Sequence, residues 1–324
     1  QTSASQGMIH GGIKYSLHGF LSDASETIAA MPARWRACLE GHGTLDLTTV
    51  KTLSQDYFLF SEASLTSRIT AFLGSKAIEG RVESVETAGM PAALKNREFK
   101  GLVYRLQDFV IDMLSLVEEL SQPYHDRIYT GEFDLEVSEG EINTIRLADG
   151  ANLSAQQYLL AAGSGNGELI HRLGLPVEMQ LRPLKQVIVT GPQLPVLYAH
   201  AVNLKTGDKP SLTITTHYLD DNTTCWYLGG QLAETGVRRS DQAQIKQAQQ
   251  ELNSLLPWVD FSRCIFRTYS IDRAEPSLQD QKRPDRPYAK KFGNSVVCWP
   301  TKLTLTPLLG DMVTSLLDFE PSAE

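Results

Sequence analysis

The sequence lacks the features that define several large protein classes. It contains no run of about 18 or more apolar residues, so a transmembrane helix is not expected. No basic stretch followed by an apolar one opens the chain, which argues against a signal peptide there. The four cysteines form no CxxC pair, so a zinc site is not expected; they are Cys38, Cys225, Cys264 and Cys298.

An excess of positive charge is also absent. Lys and Arg number 30 against 38 Asp and Glu, which gives a formal net charge of -8 and argues against a nucleic-acid backbone as partner. An anionic small molecule is not excluded, because a local basic cluster can act inside an acidic protein. The scattered thiols favour a reducing, cytoplasmic location.

The length and composition are those of an ordinary globular protein. With 324 residues, of which 42% are hydrophobic and 21% charged, the chain can bury a large core and is expected to form two domains. No internal repeat or low-complexity tract interrupts it.

Helices are expected where apolar residues recur at helical spacing or where end signals occur, at residues 62–76, 105–120, 168–173, 240–256 and 307–317. The strongest of these is 105–120, with an i, i+3, i+4 apolar stripe. Ser240 is a good N-cap, Gly174 suits a helix C-terminus, and Pro307 is favourable in a first turn.

Strands are expected where β-branched and aromatic residues cluster between turn signals, at residues 132–137, 141–147, 158–162, 187–190, 212–217, 224–228, 265–271 and 295–299. Ser138-Glu139-Gly140 predicts a hairpin turn, and Asp149-Gly150 is a second turn signal. The region from about 181 to 278 holds several strands and one long helix, which indicates a separate sheet-based domain.

The opening segment, Gln1–Tyr15, is the most informative part of the chain. Small hydroxyl residues lead into an apolar pair, His10 and the doublet Gly11-Gly12. Glycines let another molecule approach the backbone, and Ser and Thr offer short polar groups to a charged ligand. His10 is interpreted as a base, an electrostatic partner of a ligand or a covalent attachment point. The alternative is a histidine that hydrogen-bonds inside a tight turn.

Gly163-Ser-Gly-Asn-Gly167 follows a strand and precedes a helix. It partly matches the dinucleotide fingerprint, but Glu168 stands where that motif has its last glycine, and a carboxylate there would repel a pyrophosphate. The alternative is an ordinary glycine-rich turn between a strand and a helix. His217, within an expected strand, is interpreted as a strand residue rather than a catalytic group.

Two later segments carry cations beside strand or helix ends. Arg273 follows the strand 265–271, where it could clamp a carboxylate or phosphate, or form a structural salt bridge with Asp272 or Glu275. Lys302 precedes a helix expected from Pro307, whose positive end would face whatever lies before it. The alternative there is a strand, loop and helix with an exposed lysine.

Taken in order, Met8–Tyr15, Tyr158–Gly163, Arg273 and Lys302–Asp311 resemble FAD-dependent oxidoreductases of the D-amino-acid oxidase superfamily, nearest its glycerol-3-phosphate dehydrogenase branch. The resemblance implies a mixed α/β fold with an FAD-binding domain and an antiparallel-sheet substrate domain that closes over the flavin. It places the FAD-binding domain in residues 1–50, 98–180 and 290–324, and the substrate domain in 51–97 and 181–289.

Such proteins normally open with a dinucleotide-binding βαβ unit of roughly 30 or more residues, whose helix N-terminus holds the pyrophosphate. No such unit precedes Gln1. The FAD-binding domain is therefore expected to be N-terminally incomplete, with its first lobe either absent from the molecule or outside the printed sequence.

The resemblance also implies an activity and its residues. A small hydroxy- or amino-substrate with an anionic end would be oxidised by hydride transfer to flavin N5. His10 would accept a proton or contact the flavin, Arg273 would clamp the anion, and Lys302 would stabilise the reduced flavin. No metal is expected. The implied cofactor contacts are Thr2, Ser3, Ser5, Gln6, Gly11, Gly12, Gly163, Ser164, Leu303, Thr304 and Thr306.

Two other hypotheses stand beside the enzyme. A remnant without cofactor would fold, and bind an anion or a partner, without redox activity. Each lost phosphate contact would cost roughly 1.5–3 kcal/mol, so three would weaken FAD binding by several powers of ten. The chain could also be a subunit of a larger flavoprotein complex.

Overall fold

The computed structural model describes residues 2–12, 27–62, 82–202, 210–219, 221, 223–277 and 284–318. The chain divides into two compact units. The smaller unit comprises Val117–Arg182 and Asp272–Glu324, and the larger unit comprises Thr2–Leu116 and Pro183–Ile271. Helices and several sheets give the mixed α/β fold expected from the sequence. None of the helices described is long and apolar enough to cross a membrane.

The strands in chain order are β1 Met8–Ile9, β2 Thr52–Ser54, β3 Tyr57–Ser61, β4 Val82–Ser84, β5 Leu102–Leu106, β6 Phe109–Ile111, β7 Phe133–Ser138, β8 Glu141–Leu147, β9 Asn152–Leu153, β10 Tyr158–Leu160, β11 Met179–Thr190, β12 Ala199–Val202, β13 Leu212–Tyr218, β14 Thr224–Gly229, β15 Ile265–Pro276, β16 Tyr288–Phe292 and β17 Ser295–Trp299. The described α-helices are α1 Met31–Leu39, α2 Met113–Ser121, α3 Asn166–Arg172, α4 Gln231–Gly236, α5 Asp241–Leu255 and α6 Thr306–Leu316.

An eight-stranded sheet, in the order β15-β11-β14-β13-β12-β3-β5-β4, organises the larger unit. Its pairs from β11 through β12 and from β3 through β4 are antiparallel, whereas β12 and β3 run parallel. The antiparallel sheet expected in the second half of the chain is thus present. A second sheet of this unit has the order β1-β6-β2.

The two faces of the eight-stranded sheet differ in chemistry. One face, called here the core face, is packed by Val187, Trp226 and Leu228, and the same buried cluster includes Leu252 of α5. The face opposite, called here the polar face, carries Ile188, Thr215 and Tyr227 at paired positions in β11, β13 and β14. Because side chains alternate along a strand, the polar face carries the residues that lie between the core positions. Over β3 and β5 this opposite face is instead covered by a second buried cluster, which includes Tyr57, Leu59 and Tyr104.

The long helix α5 begins and ends where the sequence predicts. Ser240 is extended, and its hydroxyl accepts a hydrogen bond from the Ala243 N–H, as an N-cap residue does. The helix ends at Leu255, two residues before Pro257. Ala248 and Leu252, one turn apart, are fully buried, so the apolar stripe of α5 covers the core face.

The helix predicted for residues 105–120 is wrong in its first half. That segment forms the end of β5, all of β6 and then α2. Phe109, Val110 and Ile111 are fully buried in β6, which pairs with β1 on one side and β2 on the other. A short apolar run of this kind is typical of a buried strand. Asp112 then starts the helix, because its carboxylate accepts a hydrogen bond from the Ser115 N–H at 2.8 Å.

The smaller unit contains the hairpin and the strand–helix segments expected from the sequence. β7 and β8 pair around Glu139 and Gly140, which both have positive φ. Gly150 takes φ +88° in the turn between β8 and β9, and Gly174 takes φ +62° just after α3. β10 pairs in parallel with β17, and β17 pairs in antiparallel with β16. These predicted turns and helix ends are confirmed.

Some elements differ from the predictions or lie beyond the described residues. The strands β1 to β5, β9, β12 and β16 were not predicted, and β11 and β15 are each longer than expected. The predicted helix at 62–76 lies outside the described residues from position 63 onward, as do residue 1 and residues 13–15 of the opening segment. The strand that contains Arg273 continues to Pro276, so Arg273 lies within β15 rather than in a turn after a strand.

We expect Gly7→Ala to destabilise the larger unit strongly. Gly7 has φ +69°, and an added Cβ would lie 2.0 Å from the Ile111 carbonyl oxygen, which belongs to β6 backbone. Left-handed strain alone costs about 1–2 kcal/mol, and the clash would add to it. Urea unfolding followed by circular dichroism measures the loss.

Gly41→Ala in the same unit is the matched control. Gly41 has φ +74°, but an added Cβ would meet only the Thr48 methyl group, at 3.2 Å. This variant should therefore lose only about 1–2 kcal/mol of unfolding free energy. Equal losses in the two variants would contradict the close approach of Gly7 to β6.

Candidate functional site

The smaller unit presents one edge at which two chain segments leave parallel strands. β10 and β17 run parallel, so their carboxyl ends lie at the same edge of the sheet. Gly163–Gly165 form a single 3-10 turn between β10 and α3, and Leu303–Leu305 form another before α6. Ligands of open α/β sheets bind at the carboxyl ends of their strands. We call these two segments, residues 161–166 and 300–306, the loop edge.

The side chain of Asn166 holds the loop edge together. Its Nδ2 donates to the carbonyl oxygens of Leu160 at 3.0 Å and Cys298 at 3.2 Å, and its Oδ1 accepts from the Ala162 N–H at 2.9 Å. Asn166 is fully buried. It therefore joins the ends of β10 and β17, with both of its N–H groups and its carbonyl oxygen hydrogen-bonded.

Gly163 is fixed by a second contact across the same edge. The Trp299 indole N–H donates to the Gly163 carbonyl oxygen at 3.0 Å, and Gly163 takes φ +61°. Glu168 lies in the first turn of the short helix α3. Because a carboxylate stands at the start of this helix, the geometry favours a glycine-rich turn over a dinucleotide fingerprint.

Lys302 is buried rather than exposed, contrary to the plain alternative for this segment. Its side chain is 2% exposed, and its Nζ lies 3.3 Å from the Asp285 carboxylate, which is 70% exposed. Thr301 has φ +60°, and the Lys302 N–H donates to the Pro300 carbonyl oxygen at 2.7 Å, which marks a tight turn. The turn carries a cation into the interior immediately before a helix.

The residues after Lys302 form the start of α6. Thr304 and Leu305 are fully buried, and the Thr306 hydroxyl donates to the Leu303 carbonyl oxygen at 2.8 Å. Pro307 lies in the first turn of the helix, as predicted. The positive end of the α6 dipole and the Lys302 ammonium act in the same segment and favour negative charge, of which the exposed Asp285 carboxylate already supplies one.

Arg273 lies in the same unit beside a buried carboxylate. Its Nε donates to the Arg182 carbonyl oxygen at 3.3 Å. The Glu275 side chain is 1% exposed, and its Oε1 accepts hydrogen bonds from Arg182 Nη1 at 3.2 Å and from Gln180 Nε2 at 3.3 Å. Glu275 therefore forms a salt bridge with Arg182, whereas the sequence indicated Arg273 as its possible partner.

The opening segment lies in the larger unit and is tied to the β5–β6 turn. His10 follows β1 and is 5% exposed. The Gly11 N–H donates to the Asp108 carboxylate at 2.8 Å, and Gly12 takes φ +82°. Asp108 is itself buried. Sequence reasoning missed Asp108 because 97 positions separate it from Gly11.

The hydroxyl residues that open the chain occupy different surroundings. Thr2 and Ser3 are exposed in a 3-10 turn, and the Ser5 hydroxyl accepts the Gly7 N–H at 3.2 Å. The Gln6 amide lies on the polar face, where its Nε2 donates to Thr215 Oγ1 at 3.0 Å and to the Tyr227 carbonyl oxygen at 2.9 Å. Gln6 therefore binds the sheet with the amide that was expected to bind a cofactor.

His217 lies on the polar face, where it forms a hydrogen bond and a ring contact that the sequence did not indicate. Its Nε2 lies 3.0 Å from Thr215 Oγ1, and its ring lies against Tyr227 with 4.4 Å between centroids. Burial lowers the pKa of His217 to about 4, against an opposing effect of the Asp112 carboxylate. The imidazole is therefore neutral at pH 7.

The predicted site residues fall into two groups, one in each unit, apart from Arg273, which lies in the smaller unit, within β15 and outside the loop edge. Gly163, Ser164, Lys302, Leu303, Thr304 and Thr306 lie at the loop edge of the smaller unit. The other group, in the larger unit, contains Thr2, Ser3, Ser5, Gln6, His10, Gly11 and Gly12. Asn166, Asp108, Thr215 and Tyr227 support these groups without having been predicted.

Comparison with known proteins identifies relatives along nearly the whole chain. No family model matches. The "Probable FAD-dependent oxidoreductase PA4991" of Pseudomonas aeruginosa is 44% identical over 320 residues, which are 98% of this chain and 81% of the relative. The crystal structure of that oxidoreductase aligns with a TM-score of 0.83 at 38% identity, covering 98% of this chain and 81% of the other.

More distant solved structures share the fold alone. Glycine oxidase from Geobacillus kaustophilus aligns with a TM-score of 0.67 at 16% identity, over 99% of this chain and 85% of its own. L-alpha-glycerophosphate oxidase from Mycoplasma pneumoniae, solved with FAD bound, aligns with a TM-score of 0.64 at 12% identity, over 98% and 85% of the two chains.

Asn166→Ala should destabilise the smaller unit by about 2–4 kcal/mol, because it removes three buried hydrogen bonds and leaves their backbone partners unsatisfied. Urea unfolding measures this loss. Asn152→Ala, an exposed position in β9 of the same unit, is the control and should change stability by about 0.5 kcal/mol or less. A similar small loss for Asn166→Ala would contradict its role at the loop edge.

The depressed pKa of His217 should appear in the pH dependence of stability. Because the unfolded imidazole has a pKa near 6.5, the unfolded chain binds the proton more readily between pH 4 and 6.5. Stability from this group is thus present above pH 6.5 and lost toward pH 4, by about 3 kcal/mol in all. Unfolding of His217→Gln across this range should show a flatter profile than that of the unchanged protein; parallel profiles would contradict the shift.

Proposed function

This chain belongs to the family of FAD-dependent oxidoreductases, and we propose that it binds FAD and oxidises a small hydroxy- or amino-substrate that carries an anionic end. The single observation that carries the proposal from this chain's own residues is the buried Lys302 ammonium at the head of α6. A buried cation beside a helix N-terminus suits an electron-rich or anionic group.

The donor chemistry of the loop edge fits such a cofactor. Lys302 offers an ammonium group whose partner Asp285 is exposed, Ser164 and Thr304 offer hydroxyl groups, and Gly163 adds backbone without a side chain. The Thr306 hydroxyl donates to the Leu303 carbonyl oxygen, so it could serve a cofactor as an acceptor. These donors match the carbonyl oxygens and ring nitrogens of a flavin rather than a hydrophobic ligand. Glu168 makes the adjoining start of α3 unsuitable for a phosphate group.

The roles of the charged residues follow from the same chemistry. When bound, FAD supplies the two-electron acceptor for the substrate's hydride. Lys302 would stabilise negative charge at the loop edge, and Arg273 would hold the substrate's anionic end. His10 would accept the proton from the substrate's hydroxyl or amino group. Thr2, Ser3, Ser5, Gly11, Gly12 and Leu303 complete the proposed cofactor contacts.

We also propose how the chain divides into two domains, what class of substrate it binds and where in the cell it acts. Residues 1–50, 98–180 and 290–324 would hold FAD, and residues 51–97 and 181–289 would contact the substrate. The likeness to glycine oxidase and glycerophosphate oxidase in fold supports a small-molecule substrate. A cytoplasmic location and the absence of a nucleic-acid partner are proposed from the free thiols and the net charge of -8.

A visible absorption spectrum tests the cofactor. We expect the purified protein, alone or with added FAD, to show a protein-bound flavin band that survives gel filtration. Addition of small hydroxy acids and amino acids under anaerobic conditions should then bleach that band with at least one compound. A preparation that stays colourless with added FAD would support the remnant without cofactor and contradict the proposal.

Lys302→Met tests the residue that carries the proposal. Losing a charge-assisted contact worth roughly 1.5–3 kcal/mol should weaken FAD binding by about tenfold or more, as measured by quenching of flavin fluorescence. Lys246→Met removes the same charge from an exposed position of α5 and should leave FAD affinity unchanged. Equal affinities of the two variants, both folded by circular dichroism, would remove Lys302 from the site.

A further inference from the structure

A short chain of hydrogen bonds crosses the polar face of the larger unit from Gln6 to His217. Gln6 Nε2 uses both of its N–H groups, one to Thr215 Oγ1 at 3.0 Å and one to the Tyr227 carbonyl oxygen at 2.9 Å. His217 Nε2 then lies 3.0 Å from the same Thr215 oxygen. The carbonyl of Tyr227 can only accept, so the nitrogen side of the Gln6 amide must face it.

The direction of each proton along this chain follows from the inventory of donors and acceptors. Thr215 is fully buried, and its hydroxyl accepts from Gln6. The hydroxyl has a single proton to donate, and among the described residues the acceptor it meets is His217 Nε2. The hydroxyl oxygen could also accept from a protonated His217 Nε2, but its own proton would then find no hydrogen-bond acceptor among the described residues. The arrangement therefore favours a His217 Nε2 that carries no proton. A neutral imidazole with an unprotonated Nε2 has its proton on Nδ1.

Two neighbouring features keep this arrangement in place. The Tyr227 ring lies against the imidazole, with ring planes inclined by 34°, and limits its rotation. Gly229, opposite Thr213 on β13, has no side chain, and an added Cβ would lie 2.5 Å from Gln6 Oε1. The missing Cβ leaves the space that the Gln6 amide occupies. Burial also keeps His217 neutral at pH 7, with a pKa of about 4.

We propose that Gln6 and Thr215 are positioning residues that hold His217 as the Nδ1–H tautomer, with this N–H as the donor for an oxygen atom of a ligand on the polar face. Among the described residues, no hydrogen bond reaches His217 Nδ1, and the side chain is only partly buried. That the oxygen belongs to the oxidisable substrate rests on the function proposed above; the tautomer does not.

The tautomer is measured directly by long-range proton–nitrogen NMR on the ¹⁵N-labelled protein at pH 7, with or without flavin. The unchanged protein should show a protonated-type shift at His217 Nδ1 and an unprotonated-type shift at Nε2. The reverse assignment in the unchanged protein would overturn the proposal without any variant. The same measurement stands if the protein binds no FAD, so the two proposals fail separately.

Variants at Thr215 and Gln6 test the positioning role. Thr215→Val keeps the shape but removes the hydroxyl, and should move the His217 nitrogens toward an averaged or reversed pair. Thr215→Ser should restore the original pair. Gln6→Leu, which leaves Thr215 in place but frees its hydroxyl to rotate, should give an intermediate result and serves if Thr215→Val does not fold. Unchanged His217 shifts in both Thr215→Val and Gln6→Leu would overturn the positioning role.

Thr213→Val is the matched control on the neighbouring position of β13. Thr213 Oγ1 lies 2.9 Å from His200 Nδ1, so this variant should change the nitrogen shifts of His200 and leave those of His217 as they were. A change at His217 as large as that caused by Thr215→Val would show a general disturbance of the sheet and count against the proposal.

A titration with acetate tests the donor. Acetate should shift the His217 Nδ1 resonance in the unchanged protein and should do so less in Thr215→Val. Methylammonium, which has no oxygen acceptor, should leave that resonance in place. A response to both compounds, or to neither, would contradict an oxygen-specific donor at Nδ1.

Discussion

The Asn166 amide is the contact on which the geometry of the loop edge depends. Three backbone groups at the ends of β10 and β17 have this one buried side chain as their hydrogen-bond partner. With those ends fixed, Trp299 reaches the Gly163 carbonyl oxygen, and the chain turns at Thr301 to carry Lys302 inward. A buried amide whose N–H groups and oxygen all have partners specifies a unique arrangement, whereas an amide that lacked a partner would destabilise the fold.

In the larger unit, too, a buried polar side chain must find its hydrogen-bond partners within the protein. The polar face buries Thr215 completely, so the hydroxyl must find both a donor and an acceptor within the protein. Gln6 and His217 provide them, although Gln6 lies 209 positions away in the sequence. Residues that open the chain are thus bound to the centre of the eight-stranded sheet. In both units, buried polar groups must form hydrogen bonds within the protein, and their partners are residues that lie far away in the sequence.

Elements with strong local signals were predictable from the sequence. The Ser240 cap, the turn at Gly140, the C-terminus of α3 at Gly174 and the start of α6 near Pro307 each depend on residues a few positions apart. The segment 105–120 was not predictable in this way. Its apolar spacing fits a helix, but pairing of β6 with β1 and β2, which are remote in sequence, decides its first half.

The candidate site could be predicted only by residue type and by family resemblance. Lys302 and the threonines after it were recognised in the sequence as a group that precedes a helix. The burial of Lys302 results from the fold, and the residues next to it in the sequence did not indicate it. Asp108 and Asn166 were missed because a single aspartate or asparagine is typical of any turn. Their importance comes from the partners that the folded chain brings to them.

Hydrogen–deuterium exchange of the protein with and without FAD locates the segments that a bound cofactor protects. We expect slower exchange in peptides that cover residues 161–166 and 300–306 and in those that cover residues 7–12, with little change in α5. Protection confined to other segments, or no protection in the presence of FAD, would contradict this expectation.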